Sequence, residues 1–432
     1  MNFRKRLERY LDNSYGKPRE NIEERYERID SAARLFRHDT DSIPDTDKVD
    51  DITWNDLGMD DIFIESDHTD SFAGEQYLYS IMRRLDADDN ELAERDRRAG
   101  FFDKNEEKRN EVRKALYKLG QSPSGFFLID NIDDIGSRHL KHRAVFIILP
   151  ILLIACILAA AITRIPILAL MAVTLIALNM IVHTLVKSCI EVSMQTIFNA
   201  VAVINTAKTL TEAVPDMSAD TDSELKKLSG VMNRSSYIVA EKMAEVTRNF
   251  LMNMVFFVLN VFMLDLIFFD LIIDELIDKT DSFMNVYRFT GSIDYAVSLA
   301  SYRRYAENVC IPEFAAGNRM SIRGVYHPLI KDAVRNDMDY EKNTIITGSN
   351  ASGKSTFIKS MAIALILGQT LHICHSESAV IPRCGVMTSM AVRDDILSGE
   401  SYYIREIRYL KRMVEQCGSD RTMFLAVDEI LR

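Results

Sequence analysis

Residues 343–355 read NTIITGSNASGKS, and the fold is read outward from them. Asn343 to Thr347 is a short β-rich string. Gly348 to Ser355 fits the spacing GxxxxGK[ST] in full, and Thr356 to Leu367 follows as an amphipathic helix. In a strand–loop–helix setting this spacing has a mechanism: backbone N–H groups of the loop and the helix N-terminus point at phosphate oxygens. Gly348, Asn350, Ser352, Gly353, Lys354, Ser355 and Thr356 are the expected nucleotide-binding set. Lys354 would reach the β- and γ-phosphates, and the Ser355 hydroxyl would bind Mg²⁺.

A second stretch completes the site. Met423 to Val427 is an apolar strand that ends in Asp428-Glu429. An aspartate so placed holds the magnesium ion through water, and the adjacent glutamate polarises the attacking water. ATP and Mg²⁺ are therefore the expected cofactors, with Lys354 and Glu429 as catalytic residues and Ser355 and Asp428 at the metal.

Upstream the texture is helical. Glu20 to Phe36 reads as one helix, and His38 to Asp51 as a linker. The region around Trp54, Leu57 and Phe63 alternates, as an arm packing on a core would. Ser71 to Leu119 holds two or three helices, with Tyr77, Leu78, Ile81, Met82 and Leu85 on one face. Near Cys310 the pattern turns to short β-rich strings, Ile322 to Tyr326 first, alternating with helices as a parallel α/β sheet requires. The expected architecture is an acidic N-terminal arm over 1–69, an all-α core and lever region over 70–310, and an α/β P-loop NTPase domain over 311–432. That domain is expected to be incomplete at Arg432, because the Asp428 strand lacks a likely neighbour there.

The helical region is interrupted. Ala144 to Ile162 carries no charge, and a second apolar run covers Ile167 to Val182, across a turn at Thr163-Arg-Ile-Pro166. At 1.5 Å per residue each run is near the length that crosses a hydrocarbon core of about 30 Å. The sequence predicts a two-helix transmembrane hairpin over 144–186, with membrane lipid as a partner. Arg138, Lys141 and Arg143 before it and Lys187 after it, against Arg164 alone in the turn, predict a cell-membrane protein with both large parts cytoplasmic. Leu251 to Leu276 is apolar too. Its Asp265, Asp270 and Asp274 would be expensive in lipid, so a core helix is expected there, with a third span as the weaker alternative.

Composition excludes little else. Lys and Arg total 52 against 63 Asp and Glu, a formal charge of -11, which argues against a wholly basic nucleic-acid coat protein. Six cysteines without a CxxC pair make neither a disulfide scaffold nor a zinc site. The first residues, MNFRKRLERYLDNS, have no apolar core of a secretory signal. Arg405, Arg408, Lys411 and Arg412 cluster on one helix, as a solvated face or a nucleic-acid contact would.

These motifs together resemble the MutS mismatch-repair ATPase family. Its phosphate loop has the form TGxNxxGKST, here Thr347 to Thr356. Its magnesium strand ends in DEIGRG, here Asp428-Glu-Ile-Leu-Arg432, with Leu431 in place of glycine. Asp394 to Ile407 resembles the family's segment DDLASGRSTFMVEM, with Glu400 for arginine and Tyr402 for threonine. Glu377 to Pro382, His327-Pro328 and Pro312-Glu-Phe314 also resemble family stretches, and Thr69 to Leu119 and 232–314 resemble its core helices more faintly. The resemblance implies an ABC-type ATPase domain and a homodimer that sandwiches ATP. In it Ser401 of one chain would complete the site of the other, and hydrolysis would move the helical levers. The membrane hairpin is a departure, and the N-terminal arm is too short for a mismatch-recognition domain, so DNA contact is left open. The reading is a membrane-anchored MutS-like ATPase and conformational switch. Its alternative is a membrane-anchored ATP-binding scaffold or signalling module without mismatch recognition.

Overall fold

The computed structural model describes residues 3–19, 22–138, 140, 143–349, 352–390, 402–418 and 421–428. Its contacts divide the chain into two units, 1–120 with 291–432, and 121–290. Both are mainly helical.

The first unit holds the described strands: β1 (Glu313–Ala315), β2 (Met320–Val325), β3 (Asn336–Tyr340), β4 (Ser378–Pro382), β5 (Gly385–Ser389) and β6 (Met423–Val427). Four form a mixed sheet in the order β1-β4-β2-β3, in which β1 and β4 are parallel and β2 runs antiparallel to both its neighbours. The other two form a parallel pair, Gly385 opposite Met423 and Ser389 opposite Val427. The expected all-parallel sheet is thus corrected to a mixed one. The expected strand at 343–347 is not formed either. No described strand pairs with it, and Ile345 is 90% exposed. An extended segment without a ladder partner is not a strand, whatever its β propensity.

The core of this unit gathers residues from both ends of the chain, including Trp54, Phe63, Tyr79, Leu299, Ile322, Leu365 and Ile381. The segment expected to alternate as an arm is instead two short helices, Asp51–Leu57 and Met59–Ser66. Asp50 caps the first by accepting from Thr53 N at 2.8 Å, and Gly58, at φ 64°, provides the left-handed turn between them. Trp54 and Phe63 both pack on the Tyr79 ring, at 5.0 and 5.2 Å. The first helix also braces β5. Asp56 Oδ2 accepts from the Thr388 hydroxyl at 2.8 Å and from Met390 N at 2.9 Å, and Thr53 Oγ1 accepts from Thr388 N at 3.1 Å. These side chains satisfy backbone groups on the strand edge away from β6.

The second unit contains the hairpin. Helices Arg143–Thr163 and Pro166–Cys189 are long and apolar enough to cross a membrane, and only 22% and 17% of their most apolar windows are buried. Arg164, at φ 54°, and Ile165 make the turn, and Pro166 opens the second helix, where its missing N–H costs nothing. That helix runs seven residues past the apolar run, and three of its polar residues face protein. Asn179 Nδ2 donates to Val261 O at 3.0 Å, His183 Nε2 meets Asp265 Oδ2 at 2.8 Å, and Lys187 Nζ donates to Glu241 Oε1 at 2.6 Å. The stretch expected as one core helix is two, Phe250–Val261 and Leu264–Asp278, bent by 75°. The second is buried along Leu266, Phe269, Ile272, Ile273 and Leu276, with Asp265 and Asp270 on its protein side. The first is not a core helix: Phe250, Leu251, Met254, Val255, Phe257 and Val258 are all exposed.

A buried charge cluster joins distant segments of the first unit. Arg113 Nε pairs with Asp70 Oδ2 at 2.9 Å, Arg25 pairs with Asp67, and Arg28 Nε with Glu75 Oε1 at 2.9 Å. Asp294 meets no arginine there; it accepts from Ser71 N at 2.8 Å, Ser71 Oγ at 2.5 Å and Asp70 N at 3.0 Å. Burial, then the charge of Asp70, pushes the Asp294 carboxyl up to about 8. Burial works the same way on Asp67 and Asp70, but their arginines outweigh it and hold both below the ordinary range. The two effects occupy different pH windows. Asp294 binds its proton more tightly folded than unfolded, so its contribution is full below the ordinary value of 3.8 and is lost as pH rises towards 8. Asp67 and Asp70 contribute above their unfolded values and lose that contribution as pH falls below them. In Asp294→Asn, the decline of Tm between about pH 4 and pH 8 should flatten. Equal slopes in variant and wild type would remove Asp294 as its source.

Candidate nucleotide site

The described loop residues Gly348, Ser349, Ser352 and Gly353 border one long helix. Helix Lys354–Thr370 begins directly after Gly353, which holds φ 88° and so a conformation that side-chain-bearing residues rarely adopt. From Ser360 to Thr370 every residue of the helix is buried. Gly368 lets β4 approach: a Cβ there would lie 2.4 Å from Ile381 Cδ1. The far end is closed by side chains. Arg95 Nη1 donates to Thr370 O at 2.6 Å, and Arg303 Nη2 donates to Leu371 O and His372 O at 3.2 Å. Asp96 holds His372 Nδ1 at 2.6 Å and Arg303 Nη2 at 2.5 Å. Cations on the last carbonyls of a helix also complement its dipole.

At the near end Lys354 folds back over its own loop. Its Nζ donates to Gly348 O at 2.6 Å and Ser349 O at 2.7 Å. Ser352 N donates to Ser349 O at 3.3 Å, and a Cβ on Gly348 would lie 3.0 Å from Ser352 Oγ. The Ser355 hydroxyl donates to Asp428 Oδ2. Asp428 is placed by the parallel pair, since its N–H continues the ladder to Ser389 O at 3.0 Å. Two sequence-distant residues expected at one metal therefore touch. Thr356 follows them in the first turn of the helix. His327 lies close enough to Lys359 of the same helix to feel its charge; burial first and then Lys359 hold the imidazole below its usual value.

Asn350, Ser401 and Glu429 lie outside the described residues, as does Asp394 to Glu400. The basic cluster is divided. Arg412 is committed within the chain, pairing with Asp50 Oδ1 at 2.5 Å and donating to Thr388 O at 2.7 Å, while Lys411 reaches Glu415 at 3.6 Å. Sequence reading missed the residues that support the loop from afar, namely Asp56, Arg95, Asp96 and Arg303. No local pattern marks them, because each acts across dozens to hundreds of residues.

Residues 344–432 match the MutS domain V family. The chain is 32% identical over 172 residues to the DNA mismatch repair protein MutS of Pseudothermotoga lettingae, which covers 38% of this chain and 21% of the relative. The MutS of Thermotoga neapolitana is 33% identical over 142 residues, 31% of this chain and 18% of the relative. MutS 1 of Halobacterium salinarum is 29% identical over 155 residues, 34% of this chain and 18% of the relative. The chain thus matches about a fifth of the length of these relatives. The similarity supports a relationship to the MutS family at the end that carries the phosphate loop.

The close approach at Gly368 is open to a double-mutant cycle. Gly368→Ala gains about 1 kcal/mol of helix propensity but should lose about 1–3 kcal/mol to overpacking against Ile381. Ile381→Val deletes the atom in the way. Cys374 Sγ, 3.2 Å from the same Cβ position, remains, so in that background the cost of Gly368→Ala should fall, a coupling of at least about 1 kcal/mol in urea denaturation. Additive effects would place the helix further from β4.

Proposed function

We propose that this chain is a MutS-like, membrane-anchored ATP-binding protein that hydrolyses ATP and switches conformation with it. The observation that carries the nucleotide reading is the meeting of Ser355 and Asp428 beside a complete phosphate loop. The donor set suits Mg²⁺: one hydroxyl and one carboxylate oxygen, both hard ligands, as a cation that keeps several waters prefers. Ser355 and Asp428 would hold it, and it would supply charge neutralisation at the β- and γ-phosphates.

The chain's own groups have separable tasks. Lys354 releases the Gly348 and Ser349 carbonyls and transfers its charge-assisted hydrogen bonds to phosphate oxygens. The N-terminal N–H groups of helix Lys354–Thr370 bind phosphate with no reorganisation, because the rest of that helix is fixed by burial. Glu429, following Asp428, accepts hydrogen bonds from the attacking water and orients it. The likeness of Asp394 to Ile407 to a MutS segment supports a homodimer in which Ser401 reaches the partner's γ-phosphate. DNA contact rests on the similarity to DNA mismatch repair proteins alone. The hairpin and its basic flanks support anchoring in the cell membrane with both large parts cytoplasmic.

Lys354→Ala should weaken ATP binding about tenfold to a hundredfold, from the loss of charge-assisted bonds. Glu429→Gln should bind ATP normally and stop turnover, and the rate per wild-type chain should rise with protein concentration. Unchanged turnover in both variants would defeat the site assignment, and a concentration-independent rate would defeat the shared one. The membrane reading has its own test. The protein should stay with membranes through a carbonate wash, and a cysteine replacing Asn131 should resist an impermeant thiol reagent in intact cells. Release into the wash or labelling from outside would contradict anchoring or orientation respectively.

A further inference from the structure

We infer that helix Phe250–Val261 is a third membrane-embedded element, a half-span whose outer face contacts lipid acyl chains. The inference rests on the membrane reading of the hairpin and adds a lipid contact outside its two spans.

The helix is amphipathic in reverse. Asn260 faces protein: its Nδ2 donates to Glu241 Oε1 at 2.8 Å, and its Oδ1 accepts from Tyr237 OH at 3.3 Å. On the same side Phe256 packs edge-on against Tyr237 at 5.4 Å. The opposite face is apolar and open. Phe250 and Leu251 are 73% and 74% exposed, and Met254, Val255, Phe257 and Val258 are each more than half exposed. In water such a face would be a liability, and in lipid it is the expected one. The second hairpin helix shows the same inversion, with Asn179, His183 and Lys187 facing protein at i, i+4 and i+8.

Position along the hairpin selects lipid over a second protein chain. Val261 is buried against Leu153, Cys156 and Ala172, with Leu175 and Met180 beside them. Leu153 lies half-way along Arg143–Thr163. If the hairpin crosses the bilayer, the end of the short helix is at mid-depth, where acyl chains are the surrounding medium.

Length and bonding exclude a full third span. Twelve residues rise about 18 Å, little more than half of a hydrocarbon core. The helix following the 75° bend carries Asp265, Asp270 and Asp274, and Arg143 pairs with the last two. A helix end within lipid needs its carbonyls satisfied by protein. Asn179 does this for Val261 O at 3.0 Å, reaching in from the hairpin. At the other end Asn249 caps the helix by accepting from Met252 N at 3.2 Å. Arg248, exposed at the preceding turn, has a side chain long enough to bring its charge to the headgroups.

The chain has one tryptophan, Trp54, which permits depth measurement by fluorescence. In the full-length protein with Trp54→Phe, single tryptophans are placed at Leu251, Val255 and Val258, and for reference at Ile151 on the hairpin. Each variant is reconstituted in phosphatidylcholine vesicles with or without brominated acyl chains. Tryptophans at Val255 and Val258 should be quenched as strongly as that at Ile151. Quenching at Ile151 without quenching on the short helix would overturn this inference and leave the hairpin reading intact. No quenching at any position would overturn both. The unsubstituted protein gives a second readout that does not depend on tolerated mutations. A lipid-soluble carbene reagent should label the tryptic peptide 249–279 within 249–261, and its absence there, with the hairpin labelled, would likewise overturn the inference.

Discussion

Helix Lys354–Thr370 has no side facing water from Ser360 onward, and the position of the phosphate loop depends on that enclosure. Burying Met361, Ile363, Leu365, Ile366 and Leu367 is worth about 1.5–3 kcal/mol each, so their sum is comparable to the whole stability of an ordinary domain. A helix held so firmly can present its first N–H groups in a fixed direction. The loop itself is less committed: Lys354 sits on carbonyls of its own loop, and Ser355 sits on Asp428. Rigid support behind and exchangeable hydrogen bonds in front make a geometry that favours an incoming polyanion.

Three helices of the second unit show a different pattern. The exposed surface of both hairpin helices and of the short helix after Asn249 is mainly apolar, while Asn179, His183, Asn260, Asp265 and Glu241 are turned towards protein. Two buried oxygens in this cluster, Asn179 Oδ1 and Asp265 Oδ1, have no hydrogen-bond partner among the described residues. Such atoms are costly in a low-dielectric surrounding, and their retention marks the bend near Met263 as the place where this unit tolerates polarity.

The strand Met423–Val427 and the meeting of Ser355 with Asp428 were legible because each motif is a contiguous string. The two hairpin helices were legible because long uncharged apolar runs have few alternatives. What failed has a physical reason in each case. Asn343 to Thr347 has β propensity, but a strand is made by its partner and none of the described strands supplies one. Trp54, Leu57 and Phe63 mimic a period of two, yet Asp50 and Gly58 set helix ends that decide the matter locally. Leu251 to Leu276 reads as one run because the bend at Met263, with φ 54°, falls on a residue that carries no turn signal. The braces on the loop, Asp56 and Arg95 among them, were invisible since long-range hydrogen bonds leave no local spacing.

The clamp on the far end of the loop helix bears on how this molecule can be dissected. Residues 311–432 hold the whole phosphate-loop sequence and invite expression as a separate piece. Such a piece would lack Arg95, Asp96 and Arg303 on the Thr370 to His372 carbonyls and imidazole, Asp56 on β5, and Asp50 opposite Arg412. It would also bare the surface now covered by Trp54, Phe63, Tyr79 and Leu299. Residues 1–120 and 291–432, which form one compact unit, keep these contacts together.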